Sequence, residues 1–230
     1  MSSKITIAID GHSSTGKSTM ARQMALKLGY HYVDTGAMYR AVTLYALQNN
    51  LFRPQLDREE LIRQLDRIEL HFEKDDTGQR SEIFLNGKNV EQEIRKMDVS
   101  NRVSEVAAVS EVRHKLVAEQ QKMGARGGVV MDGRDIGTVV FPDAELKIFM
   151  TALEQVRVQR RLDELRSKGV TVTRQEVEAN LRQRDLQDST REDSPLMRAD
   201  DARILDNSEM TATEQLNLAL SWANTIIEDL

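Results

Sequence analysis

A chain of 230 residues, 40% hydrophobic and 30% charged, is long enough to bury one sizeable core and has the composition of a globular protein. The absence of cysteine excludes a disulfide scaffold, a cysteine nucleophile and a thiolate metal site. A formal net charge of −5 argues against a nucleic-acid partner, although residues 157–203 are rich in arginine and indicate a local anion site. The apolar run Ile5–Ile9 is too short for a signal-peptide core or a membrane span, so we expect a cytoplasmic protein without a membrane partner.

Strand-like and helical patterns alternate along most of the chain. The predicted strands are 5–9, 31–33, 129–131, 146–150 and 203–206, and the predicted helices are about 17–28, 37–48, 103–122, 153–167, 173–185 and 211–227. Thr211 and Glu214 form a capping box for the last helix, and residues 188–201 are expected to be a polar loop. This order predicts an α/β three-layer sandwich with a five-stranded parallel sheet between helices.

Residues 51–90 depart from this alternation. Their pattern consists of a charged helix at about 58–65, runs at 68–73 and 82–85 joined by a polar turn at 75–80, the turn Asn86-Gly87 and a run at 88–90. We predict a small antiparallel β insert outside the parallel sheet.

A phosphate-binding loop follows the first strand. Gly11-His12-Ser13-Ser14-Thr15-Gly16-Lys17-Ser18 matches G-x-x-x-x-G-K-[ST] between a predicted strand and a predicted helix, which is the setting of a P-loop NTPase-type fold. Its backbone N–H groups and the helix dipole would hold phosphates, with Lys17 between the β and γ phosphates. Ser18 would ligate Mg²⁺, and Thr19 can add a hydroxyl near the α phosphate. The structural alternative is a Gly/Ser-rich turn without a ligand.

The chain lacks the features of a GTPase switch. It contains no N-K-x-D tetrapeptide, and its only D-x-x-G, at residues 75–78, falls in the predicted hairpin turn. A small-molecule kinase instead needs a second anion site and a mobile cationic flap that shields the transferred group from water. The sequence therefore favours a kinase.

Two further motifs supply candidates for the second anion site. Asp34-Thr35-Gly36-Ala37-Met38-Tyr39-Arg40 follows the second strand, and Asp132-Gly133-Arg134-Asp135-Ile136-Gly137-Thr138 follows the third core strand. Both lie at carboxyl ends of parallel strands, where open α/β sheets bind ligands. The alternatives are an ordinary helix cap at Asp34 and a salt-bridged turn at Arg134.

These motifs together resemble those of bacterial cytidylate kinase, a nucleoside monophosphate kinase. The resemblance rests on D-[ST]-G-A-x-Y-R at residues 34–40 and on D-G-R-D-x-G-T-V-V-F-P-D at residues 132–143, and it extends over nearly the whole chain. It implies one nucleoside monophosphate kinase domain over 1–230, with a core at about 1–50, 101–168 and 202–230. A monophosphate-binding insert at about 51–100 and a helical lid at about 169–201 complete this domain, and a monomer is implied.

The same resemblance implies roles for individual residues. Thr35 would contact the pyrimidine nucleotide, Arg40 the acceptor phosphate, and Ser104 with Arg113 the cytosine ring. Arg134 and Asp135 would hold phosphate and sugar hydroxyls, since an ionised Asp accepts hydrogen bonds only. Asp132 is a candidate for the metal shell. His12 stands where proline is common in the family, and we expect a position on the loop surface rather than a catalytic base.

The segment Arg184-Asp185-Leu186-Gln187-Asp188-Ser189-Thr190-Arg191 resembles the lid motif R-D-x-x-D-x-x-R. Arg184 and Arg191 would surround the transferred phosphoryl group together with Lys17 and Arg134, and Asp188 would contact the acceptor side. Taken alone, such a charge run is typical of a solvated helix face.

The predicted reaction is phosphorylation of CMP and dCMP by ATP with Mg²⁺. The alternatives are another acceptor in the same fold (UMP, AMP or shikimate) and a non-catalytic ATP-binding regulatory module.

Overall fold

The computed structural model describes residues 4–75 and 81–230. Its strands are β1 Thr6–Gly11, β2 His31–Asp34, β3 Leu70–Lys74, β4 Ser81–Leu85, β5 Lys88–Asn89, β6 Val129–Gly133, β7 Leu146–Thr151 and β8 Arg203–Asp206. Its helices are α1 Lys17–Leu28, α2 Thr35–Gln48, α3 Arg58–Gln64, α4 Met97–Ala107, α5 Ser110–Gly124, α6 Glu154–Ser167, α7 Arg174–Thr190 and α8 Ala212–Glu228. Two compact units form, one from Met1–Tyr32 with Gly124–Leu230 and one from Val33–Met123.

The predicted α/β fold class is confirmed. A five-stranded sheet has the order β2-β6-β1-β7-β8, and β1 runs parallel to both β6 and β7. Nearly every residue of β1 and all of β6 are buried, as expected for strands covered on both faces. In the first unit, apolar residues of α1 and α8 join the strands in one core that includes Ile7, Met24, Ile148 and Ala219.

The parallel register determines which residues meet at the carboxyl edge of the sheet. Asp10 of β1 pairs with Gly133 of β6, and Ile9 pairs with Asp132. The phosphate-binding loop, which follows β1, and the Asp132–Thr138 motif, which begins on the last two residues of β6, therefore leave the sheet at the same edge.

Helices α6 and α7 pack against each other, and α7 begins with the capping box of Thr173 and Glu176. The helix continues to Thr190, so the prediction that it ends at about residue 185 and that a loop starts at 188 was wrong at this boundary. No glycine or proline stands between residues 185 and 190 to end the helix. Asp188 therefore lies on a helix.

The second unit contains α2, which is buried along most of its length, and the antiparallel sheet β3-β4-β5. This sheet confirms the predicted antiparallel element. The turn predicted at 75–80 lies outside the described residues except for Asp75, and so does the rest of the D-x-x-G tetrapeptide.

One predicted helix, 103–122, is two helices in the structure. Helix α4 ends at Ala107 and α5 begins at Ser110, with buried Val109 between them. Serine is a frequent residue at helix starts, and Val109 packs into the core at this break. Within residues 4–75 and 81–230, no helix has the length and apolar character needed to cross a membrane.

Candidate active site

The phosphate-binding loop depends on two glycines with unusual backbone angles. Gly11 has φ +145°, and a side chain there would collide with the carbonyl of Met150 in the neighbouring strand. Gly16 has φ +91° and stands directly before α1, in the left-handed region that favours glycine. The main chain consequently curls between β1 and the start of α1.

Lys17 is buried at the start of α1, and its Nζ donates a 2.8 Å hydrogen bond to the carbonyl of His12. Burial, and next the positive charge of Arg134, lower the pKa of Lys17 to about 7. Nearby carboxylates oppose this shift only in part. An anion placed beside Lys17 would offset the cost of its buried charge, which is the electrostatic condition for binding phosphate.

Asp132, at the end of β6, is held by two hydroxyl groups. Ser18 Oγ donates to its Oδ2 at 2.8 Å, and the hydroxyl of Tyr32 donates to its Oδ1 at 2.8 Å. Tyr32 was not predicted to be part of the site, and its position in a short strand carried no signal of this contact. Serine and carboxylate oxygens are hard ligands that suit Mg²⁺.

The structure contains no group of three or more metal-ligating His, Asp or Glu side chains among the residues it describes. Mg²⁺ in phosphate-transfer sites commonly takes one or two protein ligands and the rest of its shell from phosphates and water. The Ser18 hydroxyl and the Asp132 carboxylate are in contact and are chemically able to contribute to such a shell, and their role at a metal stays a prediction.

Arg134 connects the phosphate-binding loop with the helix α7. Its Nη2 donates to Ser13 Oγ at 2.8 Å, and its Nε donates to Asp188 Oδ2 at 2.7 Å. Burial alone would lower the pKa of Arg134, but the Asp188 carboxylate raises it. Burial alone would raise the pKa of Asp188, yet Arg134 lowers it, so both groups are charged at neutral pH.

Two further arginines lie near this pair, Arg184 of α7 and Arg191 directly after that helix. Burial, followed by repulsion from Arg134, lowers the pKa of Arg184 to about 10. Within the described ranges its buried Nε has no hydrogen-bond partner. Arg191 places Nη1 3.8 Å from Asp188 and Nη2 3.9 Å from Asp135. The three predicted arginines therefore gather around one region of the first unit.

The turn that carries Arg134 and Asp135 is held by Asp10, which sequence reasoning did not include in the site. The Asp10 carboxylate accepts hydrogen bonds from the backbone N–H groups of Ile136 and Gly137 at 2.8 and 2.7 Å. Burial raises the pKa of Asp10 to about 6 despite these two donors. The available signal in the sequence was that Asp10, a charged residue, stands directly between the apolar run Ile5–Ile9 and Gly11 of the phosphate-binding loop.

His12 is a partly exposed loop residue, with 31% of its side chain accessible, but it is not isolated. Its Nδ1 lies 3.5 Å from Asp185 Oδ1, and Asp185 also forms a 2.5 Å ion pair with Arg157 of α6. Burial alone would raise the pKa of Asp185, but the contacts from His12 and Arg157 lower it to about 2. Neither Asp185 nor Arg157 was predicted to be functional.

The predicted acceptor residues Thr35, Arg40, Ser104 and Arg113 belong to the second unit. Arg40 of α2 donates from Nη1 to Ser100 Oγ of α4 at 2.8 Å. Arg113 of α5 is almost fully buried, and its guanidinium lies 5.7 Å from the centre of the Tyr39 ring of α2. Both arginines are therefore fixed by contacts between helices.

Asp34 caps the start of α2, and an ordinary helix cap was the alternative prediction for this residue. Its Oδ1 accepts from the N–H of Ala37 at 3.0 Å, and its Oδ2 accepts from Arg95 at 3.0 Å. Arg95, which was not predicted, also pairs with Glu91. Burial opposes the charge of Arg95, but the two carboxylates raise its pKa above the ordinary value. Thr35, next to this cap, is buried at the first turn of α2.

A phosphate-binding loop on a parallel sheet, with Arg134, Arg184 and Arg191 gathered beside it, is the arrangement of a P-loop phosphotransferase. The sequence profile of the cytidylate kinase family matches residues 7–225. The chain is 56% identical over 213 residues to the cytidylate kinase of Parabacteroides distasonis, covering 92% of this chain and 93% of that protein. It is 56% identical over 224 residues to the cytidylate kinase of Flavobacterium psychrophilum, covering 97% and 99%. The chain belongs to the cytidylate kinase family.

Among solved structures, an uncharacterized protein from Eubacterium ventriosum has a similar fold. Its TM-score is 0.53 at 10% sequence identity, with 96% of this chain and 99% of that one covered. This likeness concerns the fold alone.

Proposed function

We propose that the chain transfers the γ-phosphoryl group of ATP to CMP, and also to dCMP, giving ADP and the nucleoside diphosphate. Membership of the cytidylate kinase family supports the reaction. The observation that carries the assignment of residues is the double contact of Arg134, which bonds Ser13 of the phosphate-binding loop and Asp188 of α7. One guanidinium thereby lies between the donor loop and the predicted lid.

On the donor side, the backbone N–H groups of residues 11–19 would bind the phosphates of ATP. Lys17 lies at the start of α1 within this loop, buried and with a lowered pKa, so a triphosphate would stabilise its charged form. In this proposal Lys17 holds the β and γ phosphates, and Thr19 adds its hydroxyl near the α phosphate.

Mg²⁺ is the proposed metal, with Ser18 and Asp132 as its protein contacts. When bound, it would neutralise charge on the phosphate oxygens. The hydrogen bond between Ser18 and Asp132 supports this assignment, because it brings a hydroxyl and a carboxylate together beside the loop.

The proposed step needs positioning and charge neutralisation rather than a general base. An oxygen of the acceptor phosphate forms a bond to the γ phosphorus while the bond from that phosphorus to the β–γ bridging oxygen breaks, and ADP leaves. The acceptor phosphate is ionised near neutral pH and is already a nucleophile. Arg134, Arg184 and Arg191 would surround the moving group, and the buried Nε of Arg184, which has no hydrogen-bond partner among the described residues, supports an anion-binding role for this side chain.

On the acceptor side, we propose Arg40 for the phosphate, Thr35 for the nucleotide, and Ser104 with Arg113 for the cytosine ring. Asp135 would accept hydrogen bonds from sugar hydroxyls, and Asp188 would contact the acceptor side. The fixed positions of Arg40 and Arg113 between helices support a preformed acceptor site.

The proposal includes the predicted division into a core (about 1–50, 101–168 and 202–230), an insert (about 51–100) and a lid (about 169–201). It also includes a monomeric enzyme of the cytoplasm.

An acceptor panel tests this function. ADP release is measured with ATP, Mg²⁺ and one of CMP, dCMP, UMP, AMP or shikimate. We expect the protein to show its highest kcat/KM with CMP and dCMP. A higher value with another acceptor would assign the site to that compound, and ATP binding without acceptor-dependent ADP release would indicate a regulatory module.

A further inference from the structure

The outer side of the phosphate-binding loop is held by side chains that the proposed reaction does not use. The carbonyl of Thr15 accepts a 2.8 Å hydrogen bond from Asn207 Nδ2 and a 3.3 Å hydrogen bond from Arg160 Nη1. The carbonyl of Ser13, two residues earlier, accepts at 3.4 Å from Arg157 Nη1. Arg157 and Arg160 are three residues apart on α6 and therefore lie on one face of the helix.

These contacts determine where the loop's N–H groups point. In a planar trans peptide the carbonyl and the following N–H point in opposite directions. With the Thr15 carbonyl held by Asn207 and Arg160, the N–H of Gly16 points away from them, and the same holds for Ser14 relative to Arg157. Two alternate N–H groups of the loop are thus directed away from α6.

The backbone at these two positions requires support from its surroundings. Ser14 has φ +61° and Gly16 has φ +91°, both in the left-handed region. For Ser14 such a conformation is unfavourable and persists only when neighbouring groups hold it in place. The Ser13 carbonyl, which precedes Ser14, is held by Arg157, and the Thr15 carbonyl, which precedes Gly16, is held by Asn207 and Arg160, so the peptide before each residue is supported.

Asn207 is the centre of this network and is fully buried. Its Oδ1 accepts a hydrogen bond from Arg160 Nη1 at 2.9 Å. Its Nδ2 group, which donates one hydrogen to Thr15, donates the other to Gln215 Oε1 at 2.5 Å. Its own N–H donates to the Thr151 carbonyl at the end of β7. The amide is therefore fixed by the sheet, by α6 and by α8, with one hydrogen directed at the loop.

We propose that Asn207, supported by Arg160, is a positioning residue for the donor phosphates. It holds the Thr15–Gly16 peptide so that the Gly16 N–H is available to a phosphate oxygen before the nucleotide binds. This inference rests on the proposed donor site, and it adds residues of α6 and of the loop before α8 to that site.

The test uses the near-isosteric change Asn207→Asp and the uncharged change Asn207→Leu in the full-length chain. Asn207→Asp keeps an acceptor for Arg160 but places an oxygen against the Thr15 carbonyl and Gln215 Oε1. Binding of ADP and of inorganic tripolyphosphate is measured by calorimetry with Mg²⁺ present, because tripolyphosphate reports on the phosphate cradle without a base. We expect Kd to rise about tenfold or more for both ligands in both variants, while KM for CMP changes less than about twofold.

Asn49→Asp is the matched control, since Asn49 Nδ2 also donates to a main-chain carbonyl, that of Tyr45, but away from the loop. It should leave both Kd values unchanged. Because Asn207 is fully buried, Arg160→Met provides a second variant from a partly exposed position. It removes one donor to Thr15, and we expect an increase of about threefold to tenfold in both Kd values.

Three outcomes would overturn the inference. The first is folded Asn207 variants that bind tripolyphosphate and ADP as tightly as the wild type. The second is an equal loss for ADP and CMP, which would indicate a general structural role, and the third is an Arg160→Met variant with unchanged Kd values. The wild type distinguishes a failure of this inference from a failure of the proposed donor site. If the donor site is wrong, the wild type itself binds neither ADP nor tripolyphosphate.

Discussion

Ser18 and Asp132 stand 114 positions apart in the chain, yet the Ser18 hydroxyl donates a 2.8 Å hydrogen bond to the Asp132 carboxylate. The parallel pairing of β1 with β6 produces this contact, because Asp132 lies near the carboxyl end of β6 and Ser18 lies in the first turn of α1, which follows the carboxyl end of the adjacent strand β1. The hydroxyl proton of Ser18 is directed at Asp132, which leaves the oxygen's lone pairs available to a cation.

The first prediction concerns Asp132→Asn. Removing its negative charge should weaken the attraction for Mg²⁺ and raise the Mg²⁺ concentration needed for half-maximal activity about tenfold or more. A Mg²⁺ titration of CMP-dependent ADP release measures this. Asp143→Asn, at an exposed position further along the same motif, is the control and should leave the titration unchanged. An Asp132→Asn titration that overlays the wild type would rule out a role near the metal.

The second prediction concerns the lid arginines. Arg191→Ala and Arg184→Ala should each lower kcat by about a hundredfold or more, because they remove positive charge that stabilises the transferring phosphoryl group. ADP affinity should change little. Arg182→Ala, on the same helix but paired at the surface with Glu154 and Glu178, is the matched control. Rate constants near the wild-type value in both lid variants would contradict the assignment.

Much of the fold was predictable because the signals were local. The phosphate-binding loop has a fixed spacing of glycines and lysine, and both the Asp34 cap and the Thr211–Glu214 capping box are determined by residues three positions apart. The break between α4 and α5 was missed because it depends on the burial of Val109, a tertiary effect without a glycine or proline to mark it.

The supporting residues of the site could not be predicted for a similar reason. Asp10, Tyr32 and Asn207 act through partners that are distant in sequence, for example Asn207 with Thr15 across 192 positions. Their residue types are common at strand ends and in loops, so only the folded arrangement identifies them. The richness in arginine after residue 157 predicted an anion site, but it carried no signal that Arg157 and Arg160 would contact the carbonyl groups of the phosphate-binding loop.

The third prediction concerns the acceptor side. Arg40→Met and Arg113→Met should each raise KM for CMP about tenfold or more, since each removes a charged partner of the nucleotide but keeps most of the side-chain volume. Kd for ADP should stay unchanged in both. Arg102→Met, which alters a surface arginine of α4 that contacts the Pro54 carbonyl, is the control. A parallel loss of ADP and CMP binding would show that these changes damage the fold rather than the acceptor site.

The last prediction concerns the pH dependence of stability through Asp10. Burial raises the pKa of Asp10 from an ordinary 3.8 to about 6 in the folded protein, so between these values the folded state binds more protons than the unfolded state. The contribution of Asp10 to the free energy of unfolding must therefore decrease as pH rises from about 4 to about 6, by at most about 3 kcal/mol, and stay level above that range. In Asp10→Asn this decrease is absent.

The free energy of unfolding is measured with urea at several pH values between 4 and 8 for both proteins. The wild type minus Asp10→Asn difference should decline up to about pH 6 and then stay constant. Asp163→Asn, at an exposed position of α6, serves as control, and its difference from the wild type should not decline over this range. A constant difference for Asp10→Asn as well would mean that the two backbone N–H donors of Ile136 and Gly137 cancel the effect of burial. Asp10 would then hold the turn of Arg134 and Asp135 equally well at every pH tested.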